Sequence, residues 1–221
     1  MQTRSSENPF GWVLTITLAI GAALFSANVM ADCRPEPKAQ CQGAALRNID
    51  WRNAPLQGSD FRNADLEGAN LAGANLAGAD FREAHMPQVR LERSNLANAN
   101  FDKADLRWSH FHRAVMAGAR FVGANLLKTD MEDADATNVL LSGADMTRSN
   151  LVGTDFQQAD MRNVKLDGAF MTYANMKQTN LSGASINRTR FNGTRLTGAT
   201  WVTGVVCQTP SVGACNTPTG K

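Results

Sequence analysis

The 221-residue chain is poor in the side chains that most chemistry needs. It has three His, one Tyr and four Cys. No nucleophile elbow, phosphate-binding loop or zinc-type Cys/His spacing occurs in it, so the motif-bearing enzyme classes find no foothold. No sign of charge dominates either. With 22 Lys and Arg against 20 Asp and Glu, the formal net charge is +2. That balance argues against the strongly basic surface that grips nucleic acid and against the strongly acidic one that imitates it. Long hydrophobic runs are also missing. The longest, Trp12 to Phe25, has 14 residues, short of the ~20 that span a bilayer.

What the chain does have is a period. Every fifth residue from Leu46 to Trp201 is apolar, over 32 consecutive positions. Neither a helix, with period 3.6, nor a strand, with period 2, places such residues on one buried face. Self-similarity at a fixed period points to a coil whose turns stack on one another. With the apolar residue called the centre, the residue two before it is Ala 19 times and otherwise Ser, Thr, Val or once Ile (Ile49). The residue just before the centre is Asp or Asn 18 times, and the residue two after it is Gly 12 times and Asn six. Gly and Asn accept the positive φ that the third residue of a type II turn requires, so the chain can turn a corner once per unit. The centre and the small residue then point inward and the other three face solvent. Four corners close a square, which predicts a coil of about 20 residues. Phe61, Phe81, Phe101 and Phe121 are spaced to stack on one face of such a coil. The odd centre is Ala136, where the bulk of Met116 and Phe156 is expected to fill the gap and leave a soft spot, not a ligand cavity.

Units such as Ala64-Asp65-Leu66-Glu67-Gly68 and Ala69-Asn70-Leu71-Ala72-Gly73 resemble the pentapeptide-repeat family. The resemblance covers roughly 160 of the 221 residues. It implies an all-β fold, a right-handed quadrilateral parallel β-helix of about eight coils, here over residues 44–203. It implies no single activity, because fold does not carry function. Some members resemble duplex DNA in size and negative charge and occupy topoisomerases. The near-neutral balance of this chain, with Arg62, Arg82, Arg107, Arg113, Arg148, Arg188, Arg190 and Arg195 interrupting every stretch, speaks against that use.

The flanks differ from the rod. Arg4 in a polar start, the apolar stretch Trp12–Phe25 and Val29-Met30-Ala31 form a secretory leader with a small-x-Ala cleavage site. Residues 1–31 are thus expected to be removed, giving a periplasmic or secreted protein that no longer touches a membrane. The alternative is an inner-membrane anchor through residues 12–31. Cys33 follows Asp32, where a lipid-attachment site would have a small residue. Cys33 and Cys41 precede the rod in a cap over 32–43, and Cys207 and Cys215 follow it in a cap and tail over 204–221. Four Cys allow three connectivities. Eight coils at the ~4.8 Å strand spacing separate the rod ends by about 38 Å, far beyond the ~7 Å limit for a bridge. The pairs Cys33–Cys41 and Cys207–Cys215 remain, in keeping with export. Trp51 and Trp201, in the first and last coils, read as plugs.

Candidate chemistry is sparse. Seven of the nine Met are centres, and inward thioethers filling a core are commoner than copper ligands. His110 and His112 straddle Phe111 and face outward, with Asp130 and Glu132 beside them in the next coil. This is the nearest approach to a metal or acid–base cluster and sustains an alternative metal-binding or enzymatic reading. A straight-sided rod without inserted loops is expected to lack the concavity a catalytic site needs. The leading reading is therefore a non-enzymatic structural or protein-interaction module without cofactor or metal. Its candidate contact patch is Arg107, Trp108, Leu127, Phe170 and Tyr173, exposed aromatics beside Arg. The partner is an unnamed protein or, through a rod end or the aromatic face, a second copy; nucleic acid is not expected.

Overall fold

The computed structural model describes residues 33–217. The expected leader over residues 1–31, and with it the alternative anchor, lies outside them. Among the described residues no helix is long and apolar enough to cross a membrane.

Each five-residue unit closes one corner. The Ala64 N–H donates to the Phe61 carbonyl at 3.0 Å, and the residue between them that follows the turn's midpoint, Asn63, has φ of 57°. The same left-handed conformation recurs at every fifth residue from Lys38 to Gly198. Gly and Asn suit it, as at Gly68 and Asn63, but Glu83, Trp108 and Tyr173 adopt it as well. For such residues it costs on the order of 1–2 kcal/mol each, which the ladder and the core must offset.

Between corners the chain is extended just long enough to pair once with the next coil. The residue before each centre bridges in parallel to the residue 20 further on, from Gln40↔Asp60 to Asn180↔Thr200. Three hydrogen bonds per unit carry the stack: Phe61 N–H to the Asp80 carbonyl (2.7 Å), Asn63 N–H to that of Arg82 (3.1 Å), and Asp80 N–H to that of Ser59 (2.9 Å). The coil length is thus the 20 residues that the phenylalanine spacing requires. The four faces are numbered here by their centres in one coil: Phe61 on the first, Leu66 on the second, Leu71 on the third, Leu76 on the fourth.

Centres and small residues fill the lumen. Phe61, Phe81, Phe101 and Phe121 are fully buried and stack with centroids 4.9, 4.7 and 4.7 Å apart and rings within 6° of parallel. Phe111 meets Phe101 and Phe121 edge-on from the third face. Ala136, Met116 and Phe156 are all buried. Hydroxyls at the small position do not go unpaired. Thr154 Oγ1 donates to the Met131 carbonyl (2.7 Å) and Thr179 Oγ1 to that of Phe156 (2.7 Å), each bracing a corner of the preceding coil.

The register starts one unit ahead of residue 44. Lys38 makes a corner, Ala39 takes the small position, and Cys41, fully buried, is a centre beneath Phe61. Cys33 bonds to it, with Cα atoms 4.8 Å apart; Cys207 and Cys215 are likewise bonded, at 5.0 Å. At the far end the chain reverses. Val206 and Val212 pair antiparallel with Thr200 and Arg195, and Leu196 N–H and Gly198 N–H donate to the Ser211 and Cys207 carbonyls. This fold-back lies over the fourth and first faces and reaches the backbone of Phe191 at the edge of the third through Gly213. Ile186 and Phe191, on the second and third, are left half-buried, as is Trp201.

Candidate functional site

Function has to be sought on the outer surface, where the unit Asp-centre-Arg recurs. In Asp60-Phe61-Arg62 the carboxylate accepts the backbone N–H of Arg62 (3.1 Å) and the guanidinium Nε (2.9 Å) on one oxygen and Nη2 on the other at 2.5 Å. Asp50–Arg52, Asp80–Arg82, Asp105–Arg107 and Asp160–Arg162 repeat the pairing. Hydrogen bonds from Arg62 and Arg162 hold the Asp60 and Asp160 carboxyls below the usual aspartate value. These arginines are clamped in place, which their spacing in the sequence did not reveal.

The histidines are arranged differently from the edge set out above. Asp130 and Glu132 are engaged by the Asn150 amide, at 3.0 and 3.1 Å; His110 and His112 have no ion-pair partner among the described residues. His85, on the second face, is the one between carboxylates: Nε2 lies 3.4 Å from Glu67 and Nδ1 3.4 Å from Asp105. Asp65, Glu67 and His85 bring potential ligand atoms within 4.8 Å of one another. Arg47 already pairs with both carboxylates, Asp65 at 3.2 Å and Glu67 at 2.5 Å, so the cluster is internally compensated.

The aromatic patch separates into two. Trp108 stands on the corner between the second and third faces, 39% exposed, with the Arg107 guanidinium 5.2 Å from its ring. Its N–H donates to the Leu127 carbonyl, which keeps Leu127 alongside. Phe170 and Tyr173 lie three coils on. Arg190 covers the Phe170 ring at 4.7 Å. Tyr173, 70% exposed, lies flat against Gly193, whose missing side chain makes room for the ring. Val205, Val206 and Val212 of the fold-back are exposed as well, so apolar surface gathers toward the C-terminal end.

The third face is not flat. A depression of 760 Å³ is lined by Gln88, Arg90, Glu92, Trp108, His110 and Lys128. A second, of 640 Å³, adjoins it through Arg90 and Glu92 and extends over Ala72 and Gly73 to Arg52. In the second, Ala72 and Gly73 at outward positions leave the floor low between the longer side chains of Arg52, Arg90 and Arg93. Both depressions are shallow and largely open to solvent.

The pentapeptide-repeat model matches residues 38–73, 74–113, 99–135, 129–168 and 159–198. The chain belongs to the pentapeptide-repeat family, and its fold is that family's right-handed quadrilateral β-helix. A trypsin-treated form of QnrB1, a plasmid-mediated fluoroquinolone resistance protein, is 16% identical over 70% of this chain and 78% of its own, with a TM-score of 0.64. HetL, a pentapeptide-repeat protein involved in heterocyst differentiation regulation in the cyanobacterium Nostoc, is 24% identical over 77% of this chain and 92% of its own, with a TM-score of 0.34. At 16% identity the likeness to QnrB1 concerns the fold alone. No curated protein sequence matches the chain.

Proposed function

We propose that the chain is an exported, non-enzymatic rod that serves as a protein-interaction module in the bacterial envelope, and that its contact surface is centred on Phe170 and Tyr173. The observation that carries this reading is Tyr173. A large aromatic side chain is kept 70% exposed at a corner with φ of 61°, beside an exposed Phe170 and Arg190. An aromatic held outward in an unfavourable backbone conformation, next to a second ring and a guanidinium, has the composition of a binding hot spot. Export is supported by the leader pattern in residues 1–31 and by two end-cap disulfides in a chain with no free cysteine. A DNA-mimicking role is disfavoured because Asp-centre-Arg pairs neutralise the acidic ladder along its length.

Two measurements test the reading. Fractionation and intact-mass analysis should place the protein outside the cytoplasm beginning at Asp32; recovery in the cytosol with residues 1–31 retained would defeat export. Cross-linked pull-down from envelope fractions should yield a partner that is lost with a Phe170→Ser/Tyr173→Ser double variant of unchanged melting temperature. The same partner set from both proteins would remove this surface from the proposal.

A further inference from the structure

The C-terminal end of the rod keeps an unused sheet edge. One coil before it, the second and third faces are tied to the last coil in both directions. Leu166, Gly168 and Met171 N–H donate to the Ser185, Asn187 and Arg190 carbonyls, while Ser185 and Arg190 N–H donate back to Val164 and Ala169. In the last coil the counterparts are the N–H groups of Ile186, Arg188 and Phe191 and the carbonyls of Ala184 and Thr189. None of these has a hydrogen-bond partner among the described residues. Ile186 and Phe191 lie half-buried beneath the same opening. Folded proteins cover or blunt such edges, and the fold-back does so over the fourth and first faces. The rest stays open beside Phe170 and Tyr173. Charge singles out the same place. No Asp or Glu follows Asp167 in the sequence, whereas Lys177, Arg188, Arg190 and Arg195 do. The last ion pairs along the described chain are Arg162–Asp160 and Lys165–Asp145, and Arg190 is laid over the Phe170 ring.

From this edge we infer that the C-terminal end accepts one extended segment of an acidic partner polypeptide, which adds to the second and third faces as a further coil would. The inference rests on the reading of the Phe170–Tyr173 end as a contact surface and names what that surface contacts. N–H donors interleaved with carbonyl acceptors at strand spacing call for a chain that accepts and donates in turn, as a polypeptide backbone does. A phosphodiester backbone offers no donor to the Ala184 and Thr189 carbonyls. The register fixes side chains as well. Residues over Ile186 and Phe191 point into the lumen and must be apolar. The residue over Arg188 rounds a corner, where φ is 58° in the coil below, and suits Gly or Asn. The residue over Arg190 points outward, and a carboxylate there answers the guanidinium, as Asp145 answers Lys165 one coil away at 3.4 Å. A second copy of this chain fits worse. Tail-to-tail contact brings the arginines of two ends together, and at the other rod end Asp50 is already clamped by Arg52.

The probe is a fluorescein-labelled peptide, Asp-Leu-Glu-Gly-Ala-Asp-Leu-Glu, whose binding to the full-length processed protein is read by anisotropy. A peptide with Asn and Gln in place of Asp and Glu, and a deoxythymidine decanucleotide, serve for comparison. Saturable 1:1 binding is expected, with the neutral peptide at least tenfold weaker. At saturation, hydrogen exchange at the Ile186, Arg188 and Phe191 amides, followed by NMR, should slow at least tenfold. Arg188→Glu/Arg190→Glu should weaken binding at least tenfold at unchanged melting temperature. Lys103→Glu, remote from the edge, should bind as the parent does. Absence of saturable binding, equal binding of the neutral peptide, or a preference for the decanucleotide would each overturn the inference. So would binding that leaves the three amides exchanging freely, or an edge already closed by self-association in sedimentation. None of these outcomes touches the Phe170–Tyr173 surface, whose own test is the loss of an envelope partner.

Discussion

Phe101 lies face to face with Phe81, ring centroids 4.7 Å apart and planes 3° from parallel. It repeats that contact with Phe121 and receives the edge of Phe111. One side chain therefore joins three consecutive coils on the first face to the third. Phe101→Ala should destabilise the rod by about 3–5 kcal/mol, the range for a buried phenylalanine. Phe101→Asp should prevent folding, because the lumen offers the carboxylate neither water nor partner. Lys103, two residues on and 74% exposed, should tolerate Gln within about 0.5 kcal/mol. Denaturant titration separates these outcomes, and similar midpoints for Phe101→Ala and Lys103→Gln would contradict the inward assignment.

Acid should act on the Asp-centre-Arg clamps. The Asp60 and Asp160 carboxyls lie below their ordinary value of 3.8, chiefly through hydrogen bonds from Arg62 and Arg162. A depressed folded-state value means that the clamp's contribution is complete above pH 3.8 and is lost as the pH falls through the lower folded-state values. Melting temperature should stay level from pH 7 to about 5 and drop below about 4. An Asp60→Asn/Asp160→Asn double variant should lose stability at neutral pH, on the order of 0.5–1 kcal/mol per partly exposed pair, and show a shallower decline in acid. Parallel acid profiles for variant and parent would show that these pairs carry no such load.

The parts of this molecule that repeat were legible in the residues, and the parts that do not were not. Centre, small residue and corner each follow from a side-chain requirement that recurs every five positions, so Leu66, Ala64 and Gly68 declare their places without coordinates. Four corners per turn set the coil length, and the phenylalanine spacing agreed with it. The fold-back at Val206 and Val212 has no repeat to announce it; it is defined by pairing with Thr200 and Arg195. Cys41 was read as part of a cap because a cysteine does not look like a centre, yet it is buried beneath Phe61 like one. On the outer surface, sequence pointed to His110 and His112, whereas packing placed His85 between Glu67 and Asp105. Which outward neighbours meet depends on rotamers and competing partners such as Asn150, and periodicity holds no information on either. The shallow depression over Ala72 and Gly73 was not legible for the related reason that those residues read as filler.

Reduction should loosen the ends without dissolving the rod. Each disulfide spans a sequence separation of 8, and loops so short contribute about 2–3 kcal/mol apiece in the chain-entropy picture. Hydrogen exchange on the reduced protein should accelerate at Cys41 and at the Gly198 and Cys207 amides that bind the fold-back to the last coil. Amides between Phe81 and Phe121 should keep their protection. Uniform loss of protection along the chain would mean that the caps hold the whole stack together.

The last prediction concerns Pro55, which occupies the ladder position just before a centre. In later coils that position donates its N–H to the coil beneath, as Asn75 does to the Ala54 carbonyl at 2.9 Å and Asn95 to that of Ala74 at 3.0 Å. Pro55 has no N–H to give, but in the first coil the ladder beneath has ended, so nothing is forfeited there. Proline on an exposed edge also blunts the pairing of strands from other chains. Pro55→Asn should therefore leave the melting temperature within a degree or two. Asn75→Pro should cost several kcal/mol, because it strips a ladder bond from the interior and leaves the Ala54 carbonyl buried without a donor. The two changes exchange the same residue types one coil apart, so composition cannot account for a difference between them. Equal tolerance of both would mean that the ladder bonds at this position contribute nothing to the stack; destabilisation by Pro55→Asn comparable to that of Asn75→Pro would mean that the first coil is not an edge.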